Sequence, residues 1–425
     1  MKGEARKLRF HYAFLIVAAC VVMAGIPGSM TMNCAGLFFT PVSTYFGVPK
    51  AAFTLYFSVV NITAMVVLPL AGNAMQRFDV RYLLSGAVFL IGVSFAAMSR
   101  FTVIWMFYVA GVTLGIGLAP VMFLASPLLV DRWCKKNVGL FIGIGAASTG
   151  IGGVLFNPLG TAICATGPEG WRSAYLLFAA LVLFVALPTV FFVVRDKPSD
   201  LGLAPYGAQE TIAPADGKSQ AAEPAKGVSA AKALRTSAFA ALAAFSFTLS
   251  LIQTTYQFFP SYCQASGNVD LAASAGFVAS ACMAGQAIGK VALGSLSDKS
   301  PRAGLLIGVA CGVAGLVIML VFRGNVALTI AGSFLYGGLY SCNAVHAPLL
   351  IRAVFGSREY AKINSYRTVF ATMSFAFAAS AWGIIADMPN GYSVMFVLSI
   401  ALAVFCGLLG LFVCAKIGKY EMTEG

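Results

Sequence analysis

Charge is what this chain has least of. Asp, Glu, Lys and Arg make up 10% of its 425 residues, where a soluble domain carries about 25%. With 59% of residues hydrophobic, there is too little charge to cover the surface with water, so most of that surface has to face lipid. Acids are the scarcer sign: 15 Asp and Glu stand against 28 Lys and Arg, a net charge of +13. No Asp or Glu falls in the middle of a long apolar run, so no carboxylate is placed to relay a proton through a bilayer. The short patterns of catalysis are missing as well. Without HExxH, GxSxG or a paired carboxylate there is no zinc peptidase, nucleophile-elbow hydrolase or acid–base pair. Without GxxxxGK[ST] there is no nucleotide cradle for a primary pump. The ten cysteines form no CxxC pair and no Cys/His spacing suited to a metal. They read as small apolar residues for burial, and no cofactor or metal is implied.

What the chain has in quantity is long apolar runs. About 20 such residues cross the roughly 30 Å of hydrocarbon in a bilayer. Runs of that kind fall near 12–38, 53–74, 82–99, 103–130, 138–163 and 171–194, and again near 237–260, 271–294, 302–322, 326–352, 360–386 and 391–416. The start, with Lys2, Arg6, Lys7 and Arg9, is like a signal-peptide n-region. The run after His11 is too long for one and lacks a clear cleavage site, so it is expected to be the first membrane helix. Between the two sets of six lies a gap whose stretch Gln209–Ala231 is rich in Ala, Pro, Gly and Ser, the composition of a mobile linker. The expected architecture is an all-α membrane protein: twelve transmembrane helices in two pseudo-symmetric halves, 1–194 and 237–425, joined by a flexible linker over 195–236.

The basic residues set an orientation. With both termini cytoplasmic, the cytoplasmic segments hold Arg77, Arg81, Arg132, Lys135, Lys136, Arg195, Lys197, Lys299, Arg302, Arg352, Lys416 and Lys419, among others. The outer segments hold only Lys50, Arg100, Arg172 and Arg323. That alternation is the positive-inside pattern, and it accounts for the excess positive charge as a rim facing anionic lipid rather than a nucleic-acid surface. The lean linker and short tails favour a bacterial host, hence the cell inner membrane. A monomer is expected.

An internal repeat supports the two halves. The fourth run reads Gly117-Leu118 and then Pro127-Leu128-Leu129-Val130, with Arg132 following. The tenth reads Gly338-Leu339 and then Pro348-Leu349-Leu350-Ile351-Arg352. Four further segments carry a resemblance. Gly36-Leu37-Phe38-Phe39-Thr40-Pro41 precedes Tyr45-Phe46-Gly47. Arg132-Trp133-Cys134-Lys135-Lys136 leads into Gly139, Gly143 and Gly145. Gly170-Trp171-Arg172 opens the sixth run, and Pro198-Ser199-Asp200-Leu201-Gly202 leaves it. In this order they resemble the major facilitator superfamily, and within it the oxalate/formate antiporter and monocarboxylate transporter branch. The resemblance implies parallel six-helix repeats around a central site. After the eighth run, Gly294-Ser295-Leu296-Ser297-Asp298-Lys299 is similar to the superfamily's G-x-L-x-D-R/K signature. It implies a conformational latch at Gly294, Asp298 and Lys299. The first-half counterpart runs Gly72 to Arg77, with Gln76 where the acid belongs. In the fifth run, Gly143, Gly145, Gly150, Gly152 and Gly153 suit close helix packing.

Charged groups at membrane depth mark function by default. Here all can be positive: Lys290, His346 and Arg367. A site with bases and no acids suits an anion. Arg367 lies within snorkelling reach of its helix end, and Lys290 is expected to be shallower still. The branch places basic ligands mid-helix in the eighth and eleventh spans. This chain has Cys282-Met283-Ala284-Gly285-Gln286 and Thr372-Met373-Ser374-Phe375-Ala376 there. The resemblance therefore implies a carboxylate larger or less charged than oxalate. Neutral candidates for the site are Asn61, Thr63, Gln253, Tyr256, Gln286, Tyr340 and Asn343, while Phe258 and Phe259 are expected to be helix-end aromatic anchors. The favoured reading is a carrier of small organic anions, by exchange or proton symport through alternating access. The alternatives are a proton-driven exporter of apolar or cationic compounds, and a membrane-embedded enzyme or sensor.

Overall fold

The structure, a computed structural model, describes residues 11–208, 227–356 and 358–420, without the side chains of residues 298 and 361. Twelve long helices run through it. In the first half they are α1 (Ala13–Phe46), α2 (Lys50–Arg77), α3 (Val80–Met98), α4 (Trp105–Trp133), α5 (Val138–Cys164) and α6 (Gly170–Val193). The second half has α7 (Ser237–Gln264), α8 (Ala275–Lys299), α9 (Pro301–Val321), α10 (Val326–Phe355), α11 (Tyr360–Ala386) and α12 (Gly391–Cys414). Eleven are long and apolar enough to cross a membrane. The other, α10, is 30 residues long and carries Tyr336, Tyr340, Asn343 and His346, which lower its apolar character. No strand is present among the described residues. Of the linker expected over 195–236, residues 209–226 lie outside them, while Pro198–Leu201 forms a 3-10 turn and Ala230–Ala233 a helical turn.

The lipid-facing surface is evident in what is left exposed. Phe184 is 79% exposed and Val291 72%, within a belt of large apolar side chains that water could not cover. Every backbone N–H in such a belt has to be bonded within its own helix, which is why the spans are helical. Side chains finish several helix starts: Asp79 accepts from Arg81 N, Thr236 from Phe239 N, Ser300 from Ala303 N and Asn325 from Leu328 N. These are ordinary N-caps that satisfy otherwise orphaned donors. Pro27, Pro120 and Pro188 each lie in or beside a widened turn, at Ala24–Gly28, Ala119–Leu124 and Val182–Ala186. A missing proline N–H is tolerated there.

The buried core divides into two clusters. One is built from residues 13–194, with additions from α7, α11 and α12; the other runs from Val228 to Cys414. The repeat is visible in backbone detail. α1 tightens to a 3-10 turn at Ala35–Phe38 and α7 does the same at Thr255–Phe258, 220 residues apart (255 − 35). Past these turns the chain reverses at Gly47 (φ 63°) and Gly267 (φ 72°), again 220 apart (267 − 47). Both glycines occupy left-handed backbone where a Cβ is strained.

The two tightened turns meet. Gln257 accepts from Gly36 N at 2.8 Å and donates to Met32 O. Tyr256 Oη donates to Asn33 O at 2.6 Å and accepts from Asn157 Nδ2 at 2.9 Å. Phe258 packs on Phe39 with centroids 5.1 Å apart, and Phe259 on Tyr336 at 5.0 Å. Both phenylalanines are fully buried, so the expected anchoring role at a lipid boundary is corrected: Phe258 is a core residue where the two halves touch, and Phe259 belongs to the core of the second half.

Candidate functional site: a central cavity

Among the described residues, the close contacts between the halves gather toward one end of the bundle. We call the end that carries residues 194–208 and 227–236 the linker face. At the other end, Asp387 accepts from Ala51 N at 3.0 Å and pairs with Lys50 Nζ at 3.6 Å. Ser58 and Ser380 share a hydrogen bond of 3.1 Å between α2 and α11. Ser280 donates to Val154 O at 2.9 Å between α8 and α5. Toward the linker face the same helix pairs part. Gly150 and Gly153 on α5 lie against Met283 and Gln286 of α8, whereas Gly139, Gly143 and Gly294 have nothing within 4 Å of where a Cβ would stand. Close packing on one side and space on the other gives a cleft.

That cleft holds a cavity of about 420 Å³, reaching from the middle of the bundle toward the linker face. Its second-half wall carries the polar groups: Gln253, Gln286, Lys290, Tyr340, Asn343 and Arg367. Arg367 is the eighth residue of α11, about 10 Å along it at 1.5 Å per residue, and is 7% exposed. Its Nη1 donates to Asn343 Oδ1 at 3.1 Å. Its Nη2 donates to Asn364 Oδ1 at 3.2 Å and to Thr368 Oγ1 at 3.1 Å. Asn343 in turn donates to Ser250 Oγ and Gln253 Oε1 at 2.9 and 3.1 Å, and Gln253 donates to Tyr340 O. Neutral groups thus hold the guanidinium in place. No carboxylate among the described residues pairs with it, and its Nε, like Gln286 Oε1, is buried without a partner. An uncompensated buried charge is costly, and an anion is the natural counter-group.

Six of the eight candidate residues come together here: Arg367, Asn343, Tyr340, Gln286, Gln253 and Asn61. Two do not. Tyr256 is fully buried between the halves, bonded as described above. His346 is fully buried and shares a 3.0 Å hydrogen bond with Ser297 Oγ, beside Gly304 of α9. Lys290 is deeper than expected, because α8 runs to Lys299 and not to residue 294. It lines the cavity, and its Nζ donates to Ala146 O of α5 at 3.4 Å. Asn33, Ser126, Thr149, Thr368 and Thr372 also line the wall. Asn364 could have been anticipated from Arg367, being three residues before it on the same helix; Thr368, the next residue along, could not.

The latch segments are helix ends, not loops. Gly72 and Arg77 fall in the last turns of α2, and Gly294, Asp298 and Lys299 in those of α8; the Asp298 side chain is outside the described residues. Arg77 and Lys299 are exposed. An ion pair at this end of the first half that joins separate segments is Arg132–Asp196, and Arg132 Nη2 also donates to Met75 O at 3.4 Å, inside the last turns of α2.

The model of the Major Facilitator Superfamily matches residues 17–274 and 268–419. Among solved structures, the chain is similar to a bacterial homologue of the human lysosomal transporter Spinster, in an inward-facing and unoccupied conformation. The TM-score is 0.71 at 15% identity, over 97% of this chain and 99% of that one. The inward-facing, occupied form of a Spinster homologue gives 0.72 at 13% identity, over 97% and 98%. The nucleoside transporter NupG gives 0.71 at 12% identity, over 97% and 100%. No curated protein matches. Twelve helices in two related halves around a central cavity, and a family match along both halves, lead to one conclusion: this multi-pass membrane protein is not an enzyme but a transporter, and it belongs to the major facilitator superfamily.

Proposed function

We propose that the protein is a secondary active carrier of small organic anions, carboxylates in particular, working by alternating access as an antiporter or a proton symporter. The observation that carries this reading is Arg367: a buried guanidinium on the cavity wall, oriented by three neutral oxygens and lacking an acid. Lys290 adds a second cation, and the lining residues include no Asp or Glu. A carboxylate entering the cavity supplies the missing counter-charge through charge-assisted hydrogen bonds. The cavity volume lies within the roughly 300–1,000 Å³ usual for small-molecule sites. The same lining counts against a proton-driven exporter of cations, which needs a membrane carboxylate.

In this proposal the protein sits in the cell inner membrane with both termini cytoplasmic, so the linker face is the cytoplasmic one and the state described is open inward. Within the superfamily it belongs with the oxalate/formate and monocarboxylate branch. A monomer suffices, since one chain lines the cavity. The rim at Arg77 and Lys299 meets anionic lipid, and the segments around Gly72 and Gly294 come together as a latch when that face closes. Moving the empty site across is slow, because the guanidinium then has no counter-charge, and this favours exchange.

The test is uptake of labelled mono- and dicarboxylates into proteoliposomes, with and without internal substrate and with and without a proton gradient. Uptake accelerated by internal carboxylate supports exchange, and uptake driven by the gradient supports symport. Failure of every carboxylate, with movement of apolar cations, sinks the proposal in favour of the exporter.

A further inference from the structure

The two walls of the cavity differ in chemistry. Two polar atoms buried without a partner, Arg367 Nε and Gln286 Oε1, lie on the second-half wall. The first-half wall is formed largely by Met32, Met65, Leu68, Met122, Phe123 and Ile142. Its polar residues are mostly engaged already: Asn33 Nδ2 donates to Thr149 O at 2.8 Å, Asn61 Nδ2 to Phe57 O at 2.8 Å and Thr149 Oγ1 to Ala146 O at 2.9 Å. Ser126 is the exception, its hydroxyl being buried without a partner. A small hydrophilic acid would bond one wall and leave the apolar side chains of the other uncovered.

From this we infer that the substrate is an amphipathic carboxylate, its carboxylate at Arg367 and an aryl or branched alkyl body against the methionine-lined wall of α1, α2 and α4. The inference rests on the anion-carrier reading and narrows it. Methionine is unbranched and polarisable, so three of them make a wall that adapts to bodies of differing shape and contacts aromatic rings well. The body also matters to turnover. Because it bears on the first half while the carboxylate bears on the second, a long substrate touches both moving parts, and a short one touches a single half.

The test is calorimetric binding to the purified full-length protein of propionate, butyrate, phenylacetate, 4-phenylbutyrate, lactate and succinate, with phenylacetamide as the uncharged control. Affinity is expected to rise about fourfold for each methylene buried, with phenylacetate at least tenfold tighter than lactate or succinate and phenylacetamide weakest of the aryl compounds. Met65→Asn and Met122→Asn are expected to weaken phenylacetate more than lactate. Lactate or succinate binding as tightly as phenylacetate overturns this inference while leaving the anion carrier standing. Phenylacetamide binding as tightly as phenylacetate, with no carboxylate bound better, overturns both. The series on the unaltered protein decides the matter even where a methionine variant does not fold.

Discussion

Replacing Gly36 by alanine should tilt the protein away from the state described here without unfolding it. A Cβ on Gly36 would stand 2.0 Å from Gln257 O, 2.7 Å from its carbonyl carbon and 2.9 Å from its Cα. Backbone of the other half cannot swing aside as a side-chain tip can. To reach ordinary contact at 3.4 Å, the halves must separate locally by about 1.4 Å. Overpacking of this kind costs about 1–3 kcal/mol, equivalent to about a 5- to 150-fold change in a conformational equilibrium. The clash exists only while α1 and α7 are pressed together, so that cost falls on the closed end opposite the linker. Two other glycines separate bias from simple damage. A Cβ on Gly152 would stand 2.0 Å from Gly25 O within the first half, and one on Gly285 1.9 Å from Phe334 O within the second. Alanine at either strains a half in every state. The readout is alkylation of Ser380→Cys by a membrane-impermeant maleimide, since Ser380 abuts Ser58 in the closed seam. Background is low, because nine native cysteines are buried and Cys311 is half-buried. Gly36→Ala should raise the rate by about the factor given, while Gly152→Ala and Gly285→Ala lower thermal stability without raising it. Equal rates in all three would refute the reasoning.

Three further predictions use the same seam and its surroundings. Asp387→Asn weakens the half-exposed pair with Lys50, worth about 0–1 kcal/mol, and should raise Ser380→Cys alkylation by no more than about fivefold. Tyr256→Phe removes the hydroxyl that bonds Asn33 and Asn157, leaving buried groups unpaired at a cost of about 1–3 kcal/mol; melting in detergent should fall and alkylation should rise together. His346→Asn, acting on a residue bonded to Ser297 away from the cavity, should lower the melting temperature and leave the pH profile of uptake unchanged; a shifted profile would return His346 to the transport path.

The number of helices, their order and the two-half plan were legible because crossing a bilayer imposes length and apolarity on every span. The repeat was legible in the equal spacing from Gly117 to Pro127 and from Gly338 to Pro348. Which way a side chain points was not. In a soluble helix polar residues mark the outer face, but in α7, α10 and α11 both lipid-facing and packed positions are apolar or small. Sequence alone therefore cannot separate Gln253, which reaches the cavity, from Tyr256, three residues on, which seals the seam. Lys290 was misjudged because apolarity ends near residue 294 while the helix itself continues to Lys299, moving the apparent end closer than the real one. Phe258 and Phe259 were misread because aromatic pairs near a helix end suit a lipid boundary and an inter-helix core equally well. The Arg132–Asp196 pair escaped notice because its partners lie 64 residues apart (196 − 132), beyond the reach of local pattern.

The most direct measurement of the central claim is carboxylate exchange by proteoliposomes carrying Arg367→Gln, beside Arg367→Lys and the unaltered protein. A charged hydrogen bond is worth about 1.5–3 kcal/mol, so Arg367→Gln should weaken carboxylate affinity by about 10- to 150-fold, with Arg367→Lys in between and all three proteins inserted and folded. Exchange by Arg367→Gln at the unaltered rate and affinity would contradict the account, showing that the buried guanidinium braces α10 and α11 and does not meet the substrate.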